Sequence, residues 1–335
     1  MELKLSKNNK RVLLVGYFGF GNIGDDTALR VITGRLRVEG IEYTVYGEGV
    51  GVYKRVFGIT AALKGSRAVI FAGGNLLQNE TSNRSLLYYL RIIALAHTMN
   101  VPVFFAASGI GALHGVGMPL TSLVLPGVKF FGARTTHDTE LAKALGINAS
   151  LIMPDVCFTM PTQVREKKPE LAYIPLREDK ETERKIADIA GELSLSPTII
   201  PLHYERDFAI CKRIAVRLKA RLSVFDSIDE LMGMLSECRF TVSQRLHGAI
   251  FSILSHTTAF LCQSSEKCRA LTADIRALSQ HLGASSPLFA IHELNSEKIK
   301  ELGAYGSEFD KLLNYLRKTS YDGLSMLCSA LRGED

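Results

Sequence analysis

No stretch of this 335-residue sequence reaches the length of about 18 uncharged apolar residues that a membrane-crossing helix requires. Its six cysteines include no Cys-x-x-Cys pair, which argues against structural zinc. Most lie in apolar surroundings such as Val156-Cys-Phe158 and Phe260-Leu-Cys262, and read as small core residues in a reducing compartment. The histidines lack a metal-ligand spacing of the His-x-x-x-His kind, so no metal site is expected. There is no Gly-x-Ser-x-Gly elbow, no P-loop and no EF-hand. The net charge is +6, but no run of basic residues resembles a nucleic-acid-binding arm. Small anionic substrates or an anionic membrane surface remain as partners for that charge. Internal repeats and low-complexity segments are also missing, which excludes solenoids and linker-dominated chains. The stretch Met1-Glu-Leu-Lys-Leu-Ser-Lys7 has no apolar signal region, and a cytoplasmic protein is expected.

What is present is an ordinary globular composition, 47% hydrophobic and 22% charged, in a chain long enough for two cores. Apolar β runs alternate with helical patterns. Strands are expected at residues 11–15, 42–46, 68–72, 101–106, 128–132 and 150–153, with helices from Asp25, over 85–99 and over 137–145. Residues 161–169 lose this periodicity and read as a charged linker. The alternation then restarts, with strands at 171–176, 198–201, 222–225, 240–243 and 258–262 and helices at 181–193, 207–220, 229–236 and 246–255. Helical character continues after Ser264, and a closing helix is expected over 307–318. The pattern predicts an α/β protein of two Rossmann-like, doubly wound domains, residues 1–163 and 164–335. A ligand cleft is expected between them, and the last helices could return to the first domain.

The candidate chemistry sits at strand ends. The turn Gly16-Tyr-Phe-Gly-Phe-Gly21-Asn22-Ile-Gly24-Asp25-Asp26 follows the first strand and is followed by a helix. Its glycines permit close backbone approach and the helix dipole favours an anion, yet the acidic pair and the bulky Tyr17-Phe18 argue against a dinucleotide fingerprint. A purely structural turn is the competing reading. Gly73-Gly74-Asn75 follows another strand, so two loops share one carboxyl edge, where open α/β sheets bind ligands. In the second half Ser243-Gln-Arg245-Leu-His247 places an anion-binding guanidinium and a titratable imidazole where a strand passes into a helix. Arg177 and Lys267 follow two further strands; each is as consistent with an exposed loop charge as with a ligand contact. His203, after Ile200-Pro-Leu, reads as a core or surface histidine, with a place at the cleft as the alternative.

Taken together these segments, with Thr81-Ser-Asn-Arg-Ser-Leu-Leu-Tyr-Tyr89 and Pro154-Asp155, make the sequence resemble the polysaccharide pyruvyltransferases. The resemblance implies a GT-B-like pair of domains and transfer of a pyruvyl group from phosphoenolpyruvate, a co-substrate with no further cofactor, to a sugar of a cell-wall or extracellular polysaccharide precursor. It implies His247 as acid/base, and Arg245, Lys267 and Arg134 as anion-binding groups. Asp25 is expected to orient or deprotonate an acceptor hydroxyl, or else to cap its helix. A lipid-linked acceptor would bring the enzyme to the inner face of the membrane. One departure is plain: Gly132-Ala-Arg134-Thr-Thr-His-Asp keeps the family's Arg but not the Asp that commonly follows it, which leaves open how Arg134 is held. The alternatives are a GT-B glycosyltransferase with a nucleotide-sugar donor and a non-catalytic sugar-binding relative.

Overall fold

The computed structural model describes residues 11–46, 52–80, 82–148, 150–302 and 305–334. Met1–Lys7 and Thr81, both used above, lie outside the described residues. Contacts divide the chain into two compact units, one comprising the chain up to Phe20, Ala28–Val156 and everything from Thr319 on, the other Gly21–Thr27 and Cys157–Lys318. The passage to the second unit falls at Val156/Cys157, so Pro161–Pro169 belongs to that unit.

The first half of the chain runs β1 (Arg11–Val15), α1 (Ile23–Val38), β2 (Tyr43–Tyr46), α2 (Val52–Lys64), β3 (Ser66–Ala72) and α3 (Asn83–Thr98). It continues with β4 (Val103–Ser108), α4 (Gly117–Val124), β5 (Phe130–Ala133), α5 (Thr136–Ala144) and β6 (Ser150–Ile152). The strands form one parallel sheet in the order β2-β1-β3-β4-β5-β6. Its middle strands are apolar on both faces, as strands covered by helices on two sides must be: all six residues of β4 are buried. Phe71, Phe105 and Phe131 stack across β3, β4 and β5 in the core.

The second sheet is built from β7 (Glu170–Ile174), α6 (Lys180–Glu192), β8 (Ser196–Ile199), α7 (Tyr204–Leu218), β9 (Arg221–Leu222), α8 (Ile228–Glu237) and β10 (Phe240–Ser243). After these come α9 (Leu246–Leu254), β11 (Thr258–Leu261), α10 (Glu266–His281), β12 (Leu288–Ala290), α11 (Ser296–Glu301) and α12 (Ser307–Arg332). This sheet is also parallel, in the order β12-β11-β10-β7-β8-β9. Both units are therefore doubly wound α/β units. In each the strand order reverses once, between β1 and β3 and between β7 and β10.

Several elements differ from the sequence reading. Helices α2 and α4 and strand β12 were not anticipated, and β12 divides the helical region expected after Ser264. In α4, Pro119 falls in the first turn, where a proline loses no hydrogen bond, because its N–H would have no intrahelical partner there. Helix α1 starts at Ile23, so Asp25 is inside its first turn and is not its cap. The reason is tertiary: Asn22 forms an isolated antiparallel bridge with His203, which holds it extended up to the helix start. Strand β9 is only two residues long, and α12 runs on to Arg332, well past Lys318.

Candidate active site

In the second unit the candidate residues gather at the carboxyl edge around the reversal between β7 and β10, the place where open α/β sheets bind ligands. Ser243 ends β10, and its Oγ accepts the Arg245 N–H at 3.1 Å and donates to the Arg245 carbonyl at 2.6 Å. This local clasp turns the chain directly into α9. Gln244 points across the reversal, and its Oε1 accepts the backbone N–H groups of Leu176 and Arg177 at 2.8 and 2.9 Å. The loop bearing Arg177 is thereby tied to the loop bearing Arg245. Arg177 is itself exposed, as is Lys267 in the first turn of α10, one strand further along the same edge.

Arg245 is held by a residue the sequence reading passed over. Its Nε donates to Asp207 Oδ2 at 2.7 Å and its Nη2 to Asp207 Oδ1, a forked pair with Asp207 only 1% exposed. Nη1 has no hydrogen-bond partner among the described residues. Asp207 also accepts the backbone N–H of His203 at 3.0 Å, joining the start of α7 to Arg245. The only sequence signal for Asp207 was its place in the first turn of a helix following a strand.

His247 is half-buried in the first turn of α9, its ring stacked on Phe251 at 5.9 Å between centroids. It packs directly on Gly24: a Cβ at that position would collide with the imidazole Nδ1. Glycine is thus required at residue 24 by close approach. Cys157, whose Sγ donates to the Gly24 carbonyl at 3.9 Å, lies within 4.8 Å of a ring nitrogen of His247. The sequence reading assigned all of Gly16–Asp26 to the domain opposite His247; residues 21–27 instead belong to the unit that contains His247. Asp25 is buried and accepts a hydrogen bond from Asn22 Nδ2.

His203 belongs to this group as well. It is 2% exposed, lies against Gly21, and neither ring nitrogen has a hydrogen-bond partner among the described residues. Burial, with Arg206 and Arg245 adding to it, holds its pKa below the ordinary histidine value and so favours the neutral ring. Beside it a cavity of about 150 Å³ is lined by Gly21, Asp26, Tyr204, Phe225 and Asp226.

In the first unit the loops after β3 and β4 are laced together: Gly109 N–H donates to the Gly74 carbonyl at 3.3 Å and Gly111 N–H to Leu77 at 3.0 Å. Gly73 and Gly74 turn the chain with positive φ of 71° and 58°, a conformation that favours glycine. Asn75 then accepts a hydrogen bond from Arg134 Nη2, while Arg134 Nη1 lies 3.6 Å from Asp155 Oδ2. Arg134 and Asp155 are both buried. Arg134 is therefore held by residues distant in sequence, Asn75 and Asp155, rather than by its neighbour. Thr135, at the position of the missing acid, instead caps α5.

The family described as polysaccharide pyruvyl transferase matches residues 22–265. A search of curated proteins finds no match. Among solved structures, a putative UDP-N-acetylglucosamine 2-epimerase from Listeria monocytogenes is similar at 8% identity and TM-score 0.61, covering 97% of this chain and 98% of that one. UDP-GlcNAc 2-epimerase from Neisseria meningitidis, bound to UDP-GlcNAc, is similar at 12% identity and TM-score 0.58, covering 97% and 100%. MurG from Acinetobacter baumannii follows at 11% identity and TM-score 0.53, covering 97% and 99%. At such identities the likeness shows the fold alone, that of the GT-B glycosyltransferases and epimerases.

Proposed function

Because this chain belongs to the polysaccharide pyruvyl transferase family, we propose that it transfers a pyruvyl group from phosphoenolpyruvate to a sugar of a cell-wall or extracellular polysaccharide precursor, closing a ketal and releasing phosphate. The observation that carries this reading is the Arg245–Asp207 fork with His247 two residues on, at the carboxyl end of β10. A guanidinium fixed along one edge through Nε and Nη2 presents Nη1 to an anion without losing further side-chain freedom on binding. Lys267 and Arg177, exposed along the same edge, complete the charge complement for a donor carrying phosphate and carboxylate. Arg134 is better cast as a positioning residue, since its guanidinium is engaged by Asn75 and Asp155. It holds the Gly73-Gly74-Asn75 loop in place.

In the reaction His247 protonates the donor's methylene carbon, and C2 becomes electrophilic. One sugar hydroxyl adds to C2, the C–O bond to phosphate breaks, and a second hydroxyl closes the ring. Of the two hydroxyl protons, one replaces that taken from His247 and the other leaves with phosphate. The cavity beside His203 suits the acceptor: the aromatic side chains of Tyr204 and Phe225 offer faces for a sugar ring, and Asp26 and Asp226 offer acceptors for its hydroxyls. Asp25, buried behind them, orients this turn through Asn22.

The test is phosphate release from phosphoenolpyruvate in the presence of lipid-linked or aryl glycosides, with UDP-GlcNAc as the competing donor. His247→Gln is expected to lower kcat by at least ~100-fold, the usual scale of general acid–base catalysis. Gly24→Ala, which displaces the ring, is expected to act in the same direction. Undiminished release by both variants would remove His247 from the mechanism, and sugar transfer from UDP-GlcNAc would replace the reading with glycosyl transfer.

A further inference from the structure

We propose that the face formed by α3 and α4 docks on an anionic lipid bilayer. The first observation is an absence of acid: between Glu80 and Asp138 the sequence has no Asp or Glu, while Arg84, Arg91, Lys129 and Arg134 fall within the same stretch. Arg134 is consumed by the buried network already described. Arg84, Arg91 and Lys129 are exposed and make no ion pair among the described residues.

The second observation is apolar exposure in the same place. Leu123 is 78% exposed, Val116 63%, Leu87 49% and Met118 39%. Single exposed apolar residues are ordinary, but these four lie on, or directly precede, two helices that pack together. Helix α4 runs alongside α3 in the same direction: Gly117 at its start lies against Leu86 near the start of α3, and His97 Nε2 near the end of α3 is 3.1 Å from the Val124 carbonyl at the end of α4. At about 100° per residue, Arg84, Leu87 and Arg91 share the outward face of α3, adjoining the Leu86–Leu90–His97 edge that meets α4. Leu120 and Val124 of α4 pack inward on the core, which leaves Met118 and Leu123 on its free side.

Apolar side chains beside unpaired cations, with no acid within α3 or α4, suit the boundary of a bilayer. The side chains enter the acyl region while guanidinium and ammonium groups meet anionic headgroups. Water-facing surfaces ordinarily mix charge signs. A second copy of this chain is the poorer occupant, because a twofold contact through this face would set its cations against their own copies. No helix among the described residues is long and apolar enough to cross a membrane, and the contact envisaged is with the surface. The inference rests on the proposed function only for its purpose, which is to bring the enzyme to a lipid-linked acceptor.

Docking is measured without any transfer, by co-sedimentation of the full chain with vesicles of phosphatidylcholine alone or with phosphatidylglycerol. The protein is expected to bind the anionic vesicles, and less well as salt rises. Arg91→Gln with Lys129→Gln should weaken partitioning about fivefold for each charge removed. Val116→Ser with Leu123→Ser should abolish it, while phosphate release with a soluble aryl glycoside stays unchanged. Absence of wild-type binding, variants that bind as the parent does, or a concentration-dependent dimer that Leu123→Ser dissociates would each overturn the docking. If docking fails while phosphate release persists, the surface is wrong and the enzymatic reading stands.

Discussion

Asp207 serves two partners at once, the guanidinium of Arg245 and the backbone N–H of His203. Buried as it is, its charge is tolerable only because a forked cation and a peptide N–H meet it, and removal of one partner of such a pair usually costs about 3–5 kcal/mol. The neighbouring His203 gives a pH signature. Its pKa in the folded protein is below that of an unfolded histidine, about 6.5, so the unfolded chain takes up the proton first as pH falls. Stability contributed by the neutral ring is full above about pH 6.5 and declines as pH drops below it. Urea denaturation of the second unit is expected to show this decline between neutral and mildly acid pH, and His203→Asn is expected to flatten it. His256, whose pKa burial also lowers, adds to the same trend in both proteins and does not hide the difference. Equal slopes would mean that His203 is protonated in the fold.

Among the helices, local chemistry decides where several begin. Ser82, Thr135, Asp179, Ser227 and Asn295 each precede a helix and accept a backbone N–H three residues on, as N-caps do. Thr135 does more than its counterparts. Its Oγ accepts the Asp138 N–H at 3.2 Å and donates to Asp138 Oδ2 at 2.6 Å, and Asp138 Oδ1 in turn accepts the Ile110 N–H at 2.8 Å. The cap of α5 is thereby joined to the loop after β4, beside Arg134. Thr135→Val keeps the shape and removes the hydroxyl, and is expected to cost about 1–2 kcal/mol in urea denaturation of the first unit. A loss no larger than that of an exposed surface change would show that the cap is dispensable.

For the molecule as a whole, the chain order is not the order of the units. The last stretch, from Thr319, belongs to the first unit although the second precedes it. Ser320 Oγ donates to the carbonyls of Pro154 and Asp155 at 3.2 and 3.4 Å, Gly323 lies against Met153, and Arg67 donates to the Leu331 carbonyl at 2.9 Å. Leu324, Leu327 and Leu331 are buried there. Each buried leucine contributes about 1.5–3 kcal/mol, and together they rival the net stability of a domain, about 5–15 kcal/mol. A chain ending at Lys318 is expected to lose amide-exchange protection throughout the first unit while keeping it in the sheet of the second. Unchanged protection in β1 and β3 would contradict that dependence.

The sequence alone determined what depends on neighbours along the chain. Alternating apolar runs specify two doubly wound sheets, glycine-dense turns specify loops at strand ends, and Arg245 and His247 are marked by their place at a strand-to-helix passage. The strands Arg11–Val15 and Phe240–Ser243 were legible to the residue because each is bounded by charge or turn chemistry. Only tertiary structure decided what depends on residues far apart. Asp207 under Arg245, Asn75 and Asp155 on Arg134, Gly24 against His247 and the buried His203 all arise from segments separated by tens of residues or more. Hydrogen bonding and close approach at that separation leave no period or local motif in a sequence, since any residue of the right type in the right loop would look the same until the sheets bring the loops together.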